Sequence, residues 1–203
     1  MKHTEAFHRA LSKEPLAQQL DAQQASLMLA HWDLVKAWNE RTNLTAIDDD
    51  SAAAQHHYAD SLAALSHVAE GPVLDIGSGA GFPGIPLAIA CPDTTFCLLE
   101  PRRKRVSFLM SSVARLGLTN INVIHGRIQD PAPRLYALAL TRATFSSPDD
   151  LRQCLSWLEP GGRFVAYRSA DSSILHGAER QTYSVGRTSK ALDLLTAPNE
   201  HSA

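Results

Sequence analysis

Residues Val73-Leu-Asp-Ile-Gly-Ser-Gly-Ala-Gly-Phe-Pro-Gly84 constrain the fold more than any other stretch of this chain. A short apolar strand ends in an acid and runs directly into a glycine-rich turn. Val73, Leu74 and Ile76 read as a buried strand, and Gly77, Gly79 and Gly81 let the backbone turn sharply and approach a ligand with no Cβ in the way. Pro83 suits the first turn of a helix, where a missing N–H costs nothing. Strand, loop and helix in this order predict a ligand at the carboxyl end of the first strand of a parallel sheet.

Two nucleoside cofactors compete for such a loop. In one frame, Asp75-x-Gly77-x-Gly79-x-Gly81 matches the S-adenosylmethionine loop of class I methyltransferases, with Asp75 orienting the loop and the methionine moiety. In the other, Gly79-x-Gly81-x-x-Gly84 matches the dinucleotide fingerprint, with Glu100 about 20 residues further on as the ribose-binding acid. The second frame sets Pro83 inside the turn that should present N–H groups to a pyrophosphate, and Asp75 adds negative charge there. A sulfonium cofactor carries a positive charge and no phosphate, which favours the first frame. Glu100 ends the second apolar run, Phe96-Cys-Leu-Leu-Glu100, where a carboxylate accepts ribose hydroxyls of either cofactor.

A chain of 203 residues with 44% hydrophobic content is long enough for one α/β domain with an appendage. The longest apolar stretches, such as Ile85 to Cys91, fall far short of a bilayer span, and Met-Lys-His-Thr-Glu at the start has no signal-peptide core. The expectation is therefore a soluble cytoplasmic protein with no membrane contact. Cys91, Cys97 and Cys154 show no paired metal spacing, so no metal is expected and the cysteines read as packing residues. Charge is split along the chain: residues 1–100 hold 5 basic against 13 acidic residues, and residues 101–203 hold 14 against 8. The basic half is built around Arg102-Arg-Lys-Arg105, of which Arg102, Arg103 and Lys104 are expected to face the phosphates of a polyanion while Arg105 turns inward. The alternative for this run is a solvated helix start.

Residues 1–70 read as a helical N-terminal extension, with Leu27, Ala30, Leu34 and Trp38 at helical spacing and a second helix from about Ser51 to Val68. From residue 71 onward strands and helices alternate, which predicts a parallel sheet with crossover helices. Strands are expected at 73–76, 95–99, 121–125, 136–141 and 162–168, with Gly161-Gly162 turning into the last. The helix after Glu100 carries Val106, Leu109, Met110, Val113 and Leu116 on one face and ends at Gly117.

Several ordered motifs together resemble one family, the bacterial small-subunit ribosomal RNA methyltransferase G family, also called glucose-inhibited division protein B. They are Trp38-Asn39 with Asn43-Leu-Thr45, His57-Tyr-Ala-Asp-Ser-Leu62, the loop from Asp75 to Pro86, Lys104-Arg-Val-Ser-Phe-Leu109, Arg127-Ile-Gln-Asp130 and Thr141-Arg-Ala143. The resemblance implies a Rossmann-like class I S-adenosylmethionine-dependent methyltransferase that places a methyl group on N7 of a guanine in 16S rRNA, alone or in the small ribosomal subunit. It further implies cofactor contacts from Gly77, Phe82, Ile128, Gln129 and Arg142. The chain departs from the family pattern at Gln129, at Glu100-Pro101 and at Tyr167-Arg168-Ser169. Beyond Arg168 no apolar hairpin stands out to complete the sheet, so residues 169–203 have no firm assignment; Gln181–Val185 and Ala191–Leu195 are weak matches.

Methyl transfer from a sulfonium is an in-line displacement, so positioning and desolvation carry most of the catalysis. Guanine N7 has a free lone pair, and no residue here reads as an obligatory base or nucleophile. Thr141-Arg-Ala-Thr-Phe145 lacks the Asp/Asn-Pro-Pro-aromatic pattern of exocyclic-amine methyltransferases, and no cysteine sits there for attack on a pyrimidine. Arg142 reads equally as a ligand-binding guanidinium or a structural ion pair. The other readings are a non-catalytic nucleotide- or RNA-binding protein on the same fold, for which the altered tail leaves room, and a dinucleotide-dependent oxidoreductase, which would need a proton relay that the sequence does not display.

Overall fold

The computed structural model describes residues 2–68, 71–142 and 148–199. Its centre is a seven-stranded sheet in the order β3-β2-β1-β4-β5-β7-β6. The strands are β1 Val73–Ile76, β2 Phe96–Glu100, β3 Ile121–His125, β4 Tyr136–Thr141, β5 Leu158–Ser169, β6 Glu179–Val185 and β7 Thr188–Thr196. The first five run parallel, and β7 joins β5 antiparallel, with β6 outside it. Chain order reverses between β1 and β4, the switch point at whose carboxyl side α/β sheets open a crevice.

Helices cover both faces because the central strands bury both. Along β1, Val73 joins the core beneath the helical N-terminal segment, whereas Leu74 and Ile76 join the core on the opposite face with Cys154 and Trp157. The first layer comprises α1 (Lys2–Leu11), α2 (Ala22–Thr42), α4 (Gly84–Ala90) and α5 (Arg103–Leu116); α6 (Pro148–Ser156) lies on the other side. Helix α2 starts at a capping box in which Asp21 accepts from the Gln24 N–H and Gln24 accepts from the Asp21 N–H. It ends at Asn43 in the left-handed region, where the Asn39 amide takes over: its oxygen accepts from the Leu44 and Thr45 N–H groups and its nitrogen donates to the Thr45 carbonyl. This is the physical content of the Trp38-Asn39 and Asn43-Leu-Thr45 pairing seen in the sequence.

One expectation needs correction. The helix expected from Ser51 to Val68 is instead a short α3 (Asp50–Ala53), a π-helical turn over Ala54–Ala59 and a 3₁₀ segment over Leu62–His67. The wide turn aims Tyr58 into the core while His57 and Asp60 face the sheet edge. The tail left without firm assignment supplies a hairpin over its two weakly matching stretches, β6 and β7, and this hairpin completes the sheet. Near Gly161-Gly162 there is a bulge within β5, since Tyr136 pairs with Leu158 while Leu138 pairs with Arg163.

The hairpin tip is latched to the beginning of the chain. Buried Glu14 accepts the Gly186 N–H at 3.0 Å and the Gln55 amide at 2.8 Å. A charge-assisted contact of this kind is among the stronger hydrogen bonds.

Candidate active site

Two cavities open at the carboxyl edge of the sheet, one on each side of the switch point. The first, about 290 Å³, is lined by Ile76, Gly77, Leu99, Pro101, Gly126, Arg127, Ile128 and Gln129. Here Gly77 has φ 72, a conformation that frees the backbone to fold back onto the Leu99 carbonyl. Glu100, almost fully buried, accepts the Gly79 N–H at 2.9 Å on one carboxylate oxygen and the Arg102 N–H at 2.9 Å on the other. It therefore ties the glycine loop to the start of α5 and retains further lone pairs.

Asp75 acts from behind the loop. Its side chain is fully buried, one oxygen accepts the Gly84 N–H at 3.0 Å, and the other has no partner among the described residues. Burial pushes this carboxyl up to about 6, partly opposed by its hydrogen bonds. The same contact removes the dinucleotide frame. A carboxylate already occupies the N–H at the start of α4, and a Cβ on Gly84 would stand 2.3 Å from Leu98 Cδ2. A Cβ on Gly81 would stand 2.4 Å from Ile85 Cδ1, so these two glycines make room for packing, not for a pyrophosphate.

The second cavity, about 440 Å³, lies across the ends of β4 and β5 and the start of β7. Its lining includes Ile47, His56, His57, Asp60, Arg142, Tyr167, Arg168, Ser169, Thr188, Ser189 and Lys190. Asp60 is the hub. One oxygen accepts from Arg142 Nη1 at 3.1 Å, and the other from the Tyr183 hydroxyl at 2.8 Å and Lys190 Nζ at 3.3 Å. Arg142 Nη1 also donates to the His56 carbonyl, and its guanidinium lies 5.2 Å over the Phe82 ring. The His57 ring stacks on Phe82 with centroids 4.5 Å apart, and its Nε2 shares a 2.7 Å hydrogen bond with Thr45 Oγ1. Burial, helped by the Arg142 charge, lowers His57 to about 3, so the imidazole is neutral and a poor base at physiological pH. Burial and the neighbouring Asp60 push the Tyr167 and Tyr183 hydroxyls upward, which keeps both as donors. The Tyr167 O–H is spent on the Ser61 carbonyl and that of Tyr183 on Asp60. What the wall offers is therefore the cations Arg142, Arg168 and Lys190 and the Thr188 and Ser189 hydroxyls, while Asp60, its one carboxylate among the described residues, is already engaged.

Of the residues expected at the cofactor, Gly77, Ile128 and Gln129 meet in the first cavity, and Gly79 and Glu100 brace it from behind. Asp75 and Gly81 pack beneath the loop. Phe82 is buried against His31, His57 and Tyr58 and lines neither cavity, while Arg142 lines the second. Arg102, Arg103 and Lys104 are exposed where α5 begins, and Arg105 turns inward, its Nη2 donating to the Asn43 carbonyl at 3.5 Å. Residues 143–147, including the end of the Thr141–Phe145 stretch, lie outside the described residues. Sequence reasoning missed Lys190, Thr188 and Ser189 altogether; Arg168-Ser169 left a signal only as a departure from the family pattern. A larger cavity, about 620 Å³, lies at the opposite edge around Gly71, Thr94 and Arg134, away from every loop discussed.

Comparison with known proteins agrees with this geometry. The family model described as rRNA small subunit methyltransferase G, GidB, matches residues 24–201. A Ribosomal RNA small subunit methyltransferase G of Ralstonia nicotianae is 36% identical over 189 residues, covering 88% of this chain and 83% of the relative. One from Coxiella burnetii is 38% identical over 139 residues, covering 68% of each. Among solved structures, an S-adenosylmethionine-dependent methyltransferase from Aquifex aeolicus aligns with a TM-score of 0.57 at 16% identity, covering 81% of this chain and 97% of that one. This last likeness establishes the shared Rossmann-like fold. A sheet of this order, a glycine loop braced by buried acids and a matched sequence from residue 24 to 201 lead to one conclusion: the chain belongs to the GidB family of small-subunit rRNA methyltransferases.

Proposed function

We propose that this enzyme transfers a methyl group from S-adenosylmethionine to N7 of a guanine in 16S rRNA, working in the cytoplasm on the RNA or the small subunit. The observation that carries the choice of atom is the second cavity: it presents donors, and its only acid among the described residues is held by Arg142, Lys190 and Tyr183. An exocyclic amine or a hydroxyl would have to lose a proton, whereas N7 attacks through its own lone pair.

The first cavity fits the cofactor on its chemistry. Ile76, Leu99 and Ile128 give apolar walls for an adenine ring, the Gln129 amide gives a polar edge, and Glu100 keeps lone pairs for ribose hydroxyls. When bound, S-adenosylmethionine supplies an activated methyl group on a positively charged sulfur. The chain's own work is to hold and align. Arg142 is fixed by Asp60, by the His56 carbonyl and by the Phe82 face, leaving Nε and Nη2 without partners among the described residues and available to donate to guanine O6. In this reading residues 1–70 are a helical extension that supplies His57 and Asp60 to the acceptor wall of a methyltransferase domain spanning 71–203.

N7 methylation leaves a fixed charge on the purine and a labile glycosidic bond. Incubating 16S rRNA or small subunits from cells lacking the protein with the purified enzyme and S-adenosylmethionine is expected to create one guanine cleaved by borohydride and aniline. Methyl incorporation without aniline cleavage would assign a different atom.

A further inference from the structure

A third opening lies beside the glycine loop, outside both cavities. It is a groove of about 350 Å³ between the last turn of α2 and the first turn of α5, lined by Ala37, Trp38, Arg41, Thr42, Lys104 and Ser107. The Trp38 indole is partly exposed and is backed by the Phe108 ring at 5.6 Å and 66°. Around this aromatic floor the rim is basic. Arg41, Arg102, Arg103 and Lys104 are exposed, and none has a side-chain ion pair among the described residues, not even with neighbouring Glu40. By contrast Arg142, Arg168, Arg180 and Lys190 all face a carboxylate.

Like charges gathered within about 10 Å repel one another, and the partial positive charge at the start of α5 adds to them. Such a cluster is relieved by a polyanion, and the flat apolar floor matches a nucleobase face. Its place in the fold joins it to the reaction: Arg105 reaches from this end of α5 to the Asn43 carbonyl, with Nη1 3.6 Å from where a Gly79 Cβ would stand. We propose that an unpaired nucleobase of the substrate RNA docks in this groove against Trp38, with its flanking phosphates on Arg41, Arg102, Arg103 and Lys104. The proposal rests on the rRNA methyltransferase reading and adds a contact at a distance from the reacting guanine.

The protein carries its own reporter. Of its three tryptophans, Trp32 and Trp157 are buried, so Trp38 is the one a ligand can reach. Titrating the intact protein with a single-stranded oligoribonucleotide, while following retention on a filter, is expected to quench Trp38 emission along the same saturation curve. Replacing Arg41 and Lys104 together by Ala should lower the salt slope of that binding by about two. Trp38→Leu should raise KM for rRNA roughly tenfold, since one base stack is worth about 1–3 kcal/mol, and leave S-adenosylmethionine affinity unaltered. RNA retention with unchanged Trp38 emission would overturn the groove but not the enzyme. Quenching that grows with protein concentration in the absence of RNA would assign the groove to a second copy of the chain and overturn it as well. Failure of RNA retention and of methyl transfer together would remove both this inference and the methyltransferase reading.

Discussion

The two cavities at the sheet edge are made in different ways. The first is built from loops that each follow their own strand, at 76–77, 99–101 and 126–129, and much of its shape comes from backbone. The second draws side chains from 47–60, 142, 167–169 and 188–190, and one buried carboxylate, Asp60, holds Arg142 and Lys190 in place. A site made of backbone depends on glycines in one short stretch. A site made of side chains depends on tertiary contacts, and a single hub controls it.

That difference can be broken most sharply at Gly77. Gly77→Val puts a β-branched residue at φ 72 beside the first cavity and is expected to abolish S-adenosylmethionine binding by calorimetry while RNA retention persists. Simultaneous loss of both in a variant with native circular dichroism would mean that the two sides are not separable. Next in size is Asp60→Ala, which strands Arg142 and Lys190 in a largely buried wall; removing one partner of such a cluster costs about 3–5 kcal/mol in denaturant unfolding. Cofactor affinity of the folded fraction should stay near that of the native protein, and a loss of less than about 1 kcal/mol would show that Asp60 is not the hub.

The smallest expected effect is in acid, where the two sides carry opposite signs. His57 is lowered to about 3, so between pH 6.5 and 3 the unfolded chain binds a proton that the fold refuses, and stability rises with pH. Asp75 is raised to about 6, so between pH 3.8 and 6 the fold holds a proton the unfolded chain has released, and stability falls with pH. Each contributes at most about 1.4 kcal/mol per pH unit. Equilibrium unfolding across pH 4–6 should therefore be steeper for Asp75→Asn than for the native chain and shallower for His57→Asn. His31, fully buried and lowered to about 3, gives both variants a common background. Identical slopes in all three proteins would refute the opposition.

The same contrast explains what was legible in the sequence. Strand β1, the loop after it and the end of α5 at Gly117 announce themselves through apolar runs and through glycines that the backbone requires. The broken helix did not, because Ser51 to Val68 has ordinary helical composition and the π turn is imposed by what His57, Tyr58 and Asp60 must reach. The closing hairpin was hidden for a different reason. Strand β7 carries Asp193 in the middle of Ala191-Leu-Asp-Leu-Leu195, which breaks the apolar pattern, yet in the fold that acid is fully buried. Arg180 satisfies it through two hydrogen bonds at 2.7 and 3.0 Å and the Leu175 N–H through a third. On β6 only Val185 is fully buried, so that strand offers little periodicity to read.

The latch between Glu14 and the hairpin tip bears on the order in which the enzyme comes into being. A chain is made from its first residue to its last, and here residues 14, 55 and 60 wait for partners at 183, 186 and 190. Until residues 186 and 190 have been added, Glu14 has no Gly186 to accept from and the second cavity has no Lys190. Ribosomes that translate this message therefore carry an unfinished modifier of ribosomal RNA, whose second cavity is completed only once residue 190 has been added.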